Sequence, residues 1–416
     1  MSINFYKYES VLEFIPKDNN NIINKNIINE DISLYILNFI SNYLKNVSNI
    51  IISLSGGVDS MVLTYILNNF KNINIICCHI NYNNRNETNL ERDFLIDWCK
   101  SLNIILETFN INNIKRDDIK RSDYEEMTKN IRFNFYNDLA KKYNTNYIFL
   151  AHHKDDLCEN IFNNIMRGRR DILDLTVLKE INNINTMNIV RPMLKFKKKI
   201  IYNISEKYQI PYFLDTTPDW SCRGKMRRKI FPECELCYGS NYIDNILNLG
   251  TESDQMCNII NKYILDELIN NSNNYKYGFT IKTNKYMCEN IIIKLLLKKL
   301  IFKFNIKMKI KDDIIENIKN IIINNQKASL KINIKYNMIY ENNYLYFINE
   351  DVIEKKNYKQ ILLFNNKYSL ENLLNGELLY IWKKNKYVPY YNFSIINKFL
   401  GNILEIDYIS NIIILI

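Results

Sequence analysis

With 416 residues, 47% of them hydrophobic, the chain is long enough for two or three domains with cores of their own, and it reads as globular. A net charge of +10 suits a surface that holds a polyanion, but Asn, Ile, Lys and Tyr dominate throughout, as A/T-biased coding would produce, so composition leaves the choice open. Nine cysteines without small-scaffold spacing, no secretion signal in Met1–Pro16, and an apolar stretch at Ile291–Phe302 broken by Lys294, Lys298 and Lys299 argue against a disulfide scaffold or a membrane span, so a cytoplasmic protein with reduced thiols is expected.

Residues 1–48 read as an N-terminal extension with one helix, its apolar stripe formed by Leu34, Leu37, Ile40 and Leu44. From 49 to 240, short β-branched runs alternate with helical periods. Strands are expected at 50–54, 73–80, 104–109, 147–151 and 188–193, and helices at 60–69, 87–101, 125–142, 156–167 and 197–209. Such alternation predicts an α/β fold: a parallel sheet with right-handed crossovers, helices on both faces, and ligands at the carboxyl ends of the strands. Residues 215–240 read as irregular; their Cys234-x-x-Cys237 pair lacks the second pair or nearby histidines that zinc normally takes. Region 241–349 has a different character. Helices are expected at 253–270, 286–304 and 311–325, an Asn-rich loop at 270–274, and antiparallel strands over 328–348 turning at Asn342-Asn343, which makes a smaller α+β unit. Residues 350–416 are weakly patterned and read as a small C-terminal domain.

The chemistry gathers where predicted strands end. Ser55-Gly56-Gly57-Val58-Asp59-Ser60 follows an apolar run and opens a helix, so backbone N–H groups and a positive helix end would face a phosphate. It lacks the Gly-Lys-Ser/Thr ending of a Walker loop. Asp59 would hold Mg2+ or position substrate at the α-phosphate, or simply cap the helix. After the second strand comes His79-Ile80-Asn81-Tyr82-Asn83-Asn84-Arg85, where a histidine taken alone is more often a satisfied structural residue than a ligand, and Arg85 could pair with phosphate. After the fourth comes Ala151-His152-His153-Lys154-Asp155-Asp156-Leu157-Cys158-Glu159-Asn160. Asp155 and Glu159, four apart, would share a helix face and suit Mg2+ or a substrate ammonium, and His153 could shuttle a proton; a solvated acidic helix start is the bland alternative. Cations follow at Arg167-Gly168-Arg169-Arg170, Arg191 and Arg223-Gly224-Lys225-Met226-Arg227-Arg228, as phosphate contacts or as solvated basic loops.

Together these segments resemble the tRNA(Ile)-lysidine synthetases, a family of N-type ATP pyrophosphatases. The family's pyrophosphate loop is matched by Ser55–Ser60. Its His-Val-Asn-His-Gly-Leu-Arg stretch is echoed by His79–Arg85, with Tyr82 for the second His, and its Glu and Arg six apart by Glu126 and Arg132. Its Ala-His-His-x-x-Asp segment is similar to Ala151–Asn160, with Asn160 in place of Thr. Its Arg-Pro-Leu is Arg191-Pro192-Met193, and its Arg-Asn-x-x-Arg is similar to Arg223–Arg227. The likeness spans roughly residues 49–235. It departs at Asp215–Ser221, where the family has Asp-x-Ser-Asn.

The resemblance implies an adenine nucleotide α hydrolase-like fold and a two-step reaction. ATP adenylates the C2 oxygen of the wobble cytidine of an isoleucine tRNA, then lysine displaces AMP. It implies catalytic roles for Asp59, His153, Asp155 and Glu159, and nucleotide contacts from Ser55, Gly56, Gly57, Val58, Asp59, Ser60, His79 and Arg132. Substrate contacts would come from Asp155, Glu159, Arg167, Arg191, Arg223 and Arg227, with Mg2+ held by Asp59 and Asp156. Partners would be lysine and the tRNA anticodon loop, with no membrane, and the enzyme a monomer or homodimer. A tRNA 2-thiolation enzyme on the same fold, delivering sulfur through Cys222, Cys234 or Cys237, is the alternative. An amide-forming ligase using ammonia and a non-catalytic RNA binder are further rivals.

Overall fold

The computed structural model describes residues 3–16, 25–44, 47–70, 73–83, 87–111, 121–168, 173–184, 186–217, 219–275, 278–306, 310–349 and three short strands beyond 379. Two compact units divide the chain, residues 1–255 and 256–416. Asn84, Arg85, Arg169, Arg170 and most of 350–416 lie outside the described residues.

The first unit opens with β1 (Leu12–Phe14) and α1 (Asp31–Tyr43). Its sheet is then built in alternation: β2 (Asn49–Ser53), α2 (Val58–Asn68), β3 (Asn74–Asn81), α3 (Thr88–Ser101), β4 (Ile105–Asn110), α4 (Arg121–Lys142), β5 (Tyr147–Phe149) and α5 (Lys154–Arg167). The hairpin β6 (Ile181–Ile184) and β7 (Met187–Val190) follows, then α6 (Lys198–Lys207) and β8 (Tyr212–Phe213). Strand order is β4-β3-β2-β5-β7-β6; every pairing is parallel except β6 with β7. The pleat sorts the apolar runs onto two faces. Ile50, Ile52 and Cys77 point into one core with residues of α1, α2, α3 and α6, whereas Ile51, Ile76 and Cys78 meet Tyr136, Leu139 and Ala140 of α4. The expected α/β fold with helices on both faces is therefore present.

Three local expectations are corrected. In α1 the buried stripe is Ile32, Ile36, Phe39 and Ile40, while Leu34 and Leu37 are 44% and 41% exposed. That helix is apolar nearly all round, so periodicity does not choose a face. Residues 1–48 also pack into the sheet's own core, with β1 pairing antiparallel with β8. Segment 215–240 is largely helical: α7 (Cys222–Lys225), a π-turn at Met226–Ile230 and α8 (Phe231–Tyr238) form one continuous run, with Pro232 just after the π-turn. A further helix, α9 (Tyr242–Ile260), follows.

In the second unit, α10 (Asp266–Asn270) leads into β9 (Ser272–Tyr275) and β10 (Gly278–Lys282). Two helices follow, α11 (Asn290–Lys303) and α12 (Asp312–Asn324), then β11 (Ala328–Lys331), β12 (Tyr336–Glu341) and β13 (Tyr344–Asn349). The sheet is antiparallel, in the order β11-β12-β13-β10-β9, so the patch expected as an Asn-rich loop supplies an edge strand. Asn342 and Asn343 both take positive φ (51° and 64°), as a two-residue hairpin turn requires. The apolar stretch of α11 buries Ile293, Leu296, Leu297 and Leu300 against Phe279, Met338 and Phe347. Among the described residues no helix is long and apolar enough to cross a membrane.

Candidate active site

The loop 55–60 leaves the sheet at the carboxyl end of β2, where Leu54 N–H still donates to Cys78 O at 2.8 Å. Gly56 turns the chain with φ +86°, in the left-handed region that favours glycine. The loop then closes on itself. Ser60 Oγ accepts from Ser55 N–H at 3.2 Å, donates to Gly57 O at 3.0 Å and lies 3.0 Å from Ser55 Oγ. From outside, Phe213 N–H of β8 donates to Gly56 O at 2.9 Å. From beneath, the buried His79 donates through Nδ1 to Leu54 O at 2.9 Å, and burial lowers its pKa. The first-turn N–H groups of α2 thus sit beside a turn made for an anion.

Behind this turn lies a knot of charge around His153, which is fully buried. Its Nε2 is 3.6 Å from Asp59 Oδ1 and 3.3 Å from Asp156 Oδ2; its Nδ1 is 3.3 Å from Asp155 Oδ2. The parallel topology causes the meeting. Asp59 comes from the first turn of α2, and His153, Asp155 and Asp156 from the N-cap and first turn of α5, helices that follow the neighbouring strands β2 and β5. Lys198, first residue of α6, adds a cation whose Nζ is 3.5 Å from Asp59 Oδ2, and its backbone N–H donates to Asp155 Oδ2 at 2.8 Å. Burial would raise the Asp155 carboxyl, but His153 and that N–H outweigh it and lower its pKa. Nothing in the sequence singles out Lys198, which sits in a run of three lysines; only the fold tells it from its neighbours.

The acid pair on one helix face is Asp156 with Glu159, whereas Asp155 turns toward α6. Arg223 donates through Nε to Glu159 Oε2 at 2.9 Å and also grips Asp156. Arg227 donates through Nη2 to Asp156 Oδ1 at 2.9 Å and through Nε to Glu159. Burial pushes the Asp156 carboxyl up, yet His153 and Arg223 beside it hold its pKa at about 2. Four carboxylates therefore face three fixed cations before His153 is counted. Asp59 Oδ1 and both His153 ring nitrogens are buried without a hydrogen bond of proper geometry among the described residues. Among the described residues no three His, Cys, Asp or Glu side chains gather as a ligand set, so a hard cation here would rest on the orphaned Asp59 oxygen and complete its shell with phosphate oxygens and water, as Mg2+ can.

The remaining candidates are dispersed. Arg132 lies on α4 one turn before Tyr136, whose hydroxyl donates to Ser53 Oγ at 2.7 Å, at the foot of the loop. Arg191 is buried, donating to His152 Nδ1 (3.3 Å), Lys179 O (3.0 Å) and Asn182 Oδ1 (2.5 Å). These bonds anchor the β6–β7 hairpin to the histidine turn, and desolvation pulls the guanidinium down to about 10. Arg167 is exposed at the far end of α5, about 20 Å along the helix from Asp155.

His152, largely enclosed, has its pKa pulled down to about 4 by burial, against an ordinary value near 6.5. A histidine kept neutral in the fold stabilises fully above the unfolded value, and that contribution fades as pH falls from 6.5 toward 4. Urea unfolding should therefore show about 2 kcal/mol less stability at pH 5 than at pH 7.5 from this residue. His152→Asn should flatten that slope; an unchanged slope would show the ring to be solvated.

A family model described as a PP-loop domain matches residues 28–234. The chain is 27% identical over 311 residues to a tRNA(Ile)-lysidine synthase of Mycoplasma mycoides subsp. mycoides SC, covering 74% of this chain and 75% of that one. It is 27% identical over 367 residues to the tRNA(Ile)-lysidine synthase of Mesoplasma florum, covering 84% and 85%. It is 31% identical over 179 residues to that of Thermotoga maritima, covering 42% of each chain.

Proposed function

This chain belongs to the tRNA(Ile)-lysidine synthase family of PP-loop enzymes, and on that premise we propose that it adenylates the wobble cytidine of an isoleucine tRNA and joins lysine to C2. The observation that carries the reading is the meeting of the phosphate turn with an acid cluster, 3.3–3.6 Å around one imidazole. The turn and the start of α2 receive the β- and γ-phosphates of ATP. The cytidine C2 oxygen attacks the α-phosphorus and the bond to pyrophosphate breaks. Asp59 and Asp156 would hold Mg2+, which would neutralise charge on the leaving pyrophosphate. Lys198, next to Asp59, adds a second positive charge there.

In the second step the lysine amine attacks C2 and AMP departs with the former C2 oxygen. Glu159, with Asp156 on the same helix face, orients the amine, Asp155 adds negative charge from the side of α6, and His153 takes up the proton the amine sheds. Arg223 and Arg227 occupy the acids until the amine or an RNA phosphate draws them off. An anticodon-loop base can be splayed into such a site, which a base in a paired stem cannot. Residues 241–349 are assigned the grip on the tRNA body.

The test is mass spectrometry of tRNA nucleosides after incubation with ATP, Mg2+ and isotope-labelled lysine. Labelled lysidine with AMP release is expected, and Glu159→Gln should raise the KM for lysine at least tenfold while that for ATP barely moves. A thiolated nucleoside, lost when Cys222, Cys234 and Cys237 become Ser, would overturn the reading in favour of sulfur transfer.

A further inference from the structure

The segment that carries Arg223 to the acid cluster also carries an exposed aromatic ring that the chemistry above does not use. Trp220 is 57% exposed, whereas Trp98 is 2% exposed inside the core. Its loop is built rather than loose. Asp215 N–H donates to Glu13 Oε2 at 3.2 Å and Thr217 N–H to Asp215 Oδ1 at 2.9 Å. Arg228 reaches back to donate to Thr217 O and to pair with Asp219. Ser221 then caps α7, its hydroxyl accepting from Gly224 N–H at 3.0 Å. Trp220 stands three residues before Arg223, whose guanidinium rests on Asp156 and Glu159. Arg223, Lys225, Arg228 and Lys229 all reach solvent within the same short segment. The π-turn at Met226–Ile230 interrupts the helix there, a distortion frequent at functional sites.

We propose that Trp220, flanked by these cations, is a stacking platform for an unpaired base of the substrate RNA loop, which it delivers to the acid cluster. The proposal rests on the tRNA reading above and adds where the loop lands. Exposed indoles have a large face that any base can cover, and adjacent Arg and Lys neutralise the phosphates on either side. Duplex RNA buries its base faces and would gain only the electrostatic part.

The experiment is tryptophan fluorescence of the full chain, titrated with a synthetic RNA stem-loop of an anticodon arm and with the blunt duplex of the same stem. Subtracting the Trp220→Phe signal isolates the indole at 220 from Trp98 and Trp382. The stem-loop should quench that signal and the duplex should not. Trp220→Ala should weaken stem-loop binding about tenfold, and Trp220→Phe, which keeps a ring, should restore most of it. Equal quenching by the duplex, or undiminished binding by Trp220→Ala, overturns the platform, as does an indole quenched by a partner protein and not by RNA. Lysidine formation on whole tRNA is scored separately, so loss of the platform and loss of the proposed reaction are told apart.

Discussion

Asp59→Asn is expected to cut release of AMP and pyrophosphate by at least about a thousandfold, roughly 4 kcal/mol of transition-state stabilisation, while the protein unfolds at nearly its normal temperature. The asymmetry follows from what the carboxylate touches. Its neighbours are charged groups of the site, His153 Nε2 at 3.6 Å and Lys198 Nζ at 3.5 Å, and no apolar core depends on it. Asparagine keeps the shape but not the charge, and no cap is lost, because Gly57 rather than Asp59 is the N-cap of α2 and no side chain caps it. A cation held at Asp59 would lose its anchor, and Lys198 would lose its counter-charge. Pyrophosphate–ATP exchange measured across a range of Mg2+ separates the two effects: a rate restored at high Mg2+ indicates weakened cation binding, and a rate that stays low indicates lost chemistry. Wild-type turnover would remove Asp59 from the site.

Much of this arrangement is legible in the order of the residues. The β-branched runs ending at Leu54, Ile80 and Leu150 mark a parallel sheet because only strands covered on both faces are apolar on both. The loop 55–60 and the cluster 151–160 then fall at its carboxyl edge by topology alone. What is not legible is which side chains pair. The i, i+4 rule selects Asp155 with Glu159, but i, i+3 neighbours share a face equally well, and Arg223 and Arg227 arrive from more than 60 residues away to choose Asp156. That His79 and Arg191 are buried is not legible either, because a buried donor and an exposed one are spelled alike. One braces the loop through Leu54 O, and the other spends its donors on Lys179, Asn182 and His152. The helices of 215–240 escape periodicity because the segment is too polar and too short to show a stripe. Phe213 escapes because its partner is a glycine, which leaves no apolar signal to match.

That last pairing gives the second large effect. Gly56→Ala should lower ATP affinity at least a hundredfold and destabilise the first unit by about 2–5 kcal/mol, the combined cost of a left-handed alanine and an overpacked contact. A Cβ at Gly56 would stand 2.0 Å from Cε2 of Phe213, and the backbone there has φ +86°. The ring has little room to retreat. It meets Phe94 edge-on at 5.6 Å between centroids, and Phe94 in turn meets Tyr8 at 5.1 Å, so the N-terminal segment backs the phosphate turn through three aromatic rings. Phe213→Leu placed on Gly56→Ala should return the packing share of the loss but leave the conformational share, because leucine clears the methyl and does nothing for φ. The double-mutant cycle should therefore show stability recovering more than ATP affinity, with a coupling energy of at least about 1 kcal/mol. Strictly additive losses would mean that the ring does not rest on the loop, and that the turn keeps its shape without help from β8.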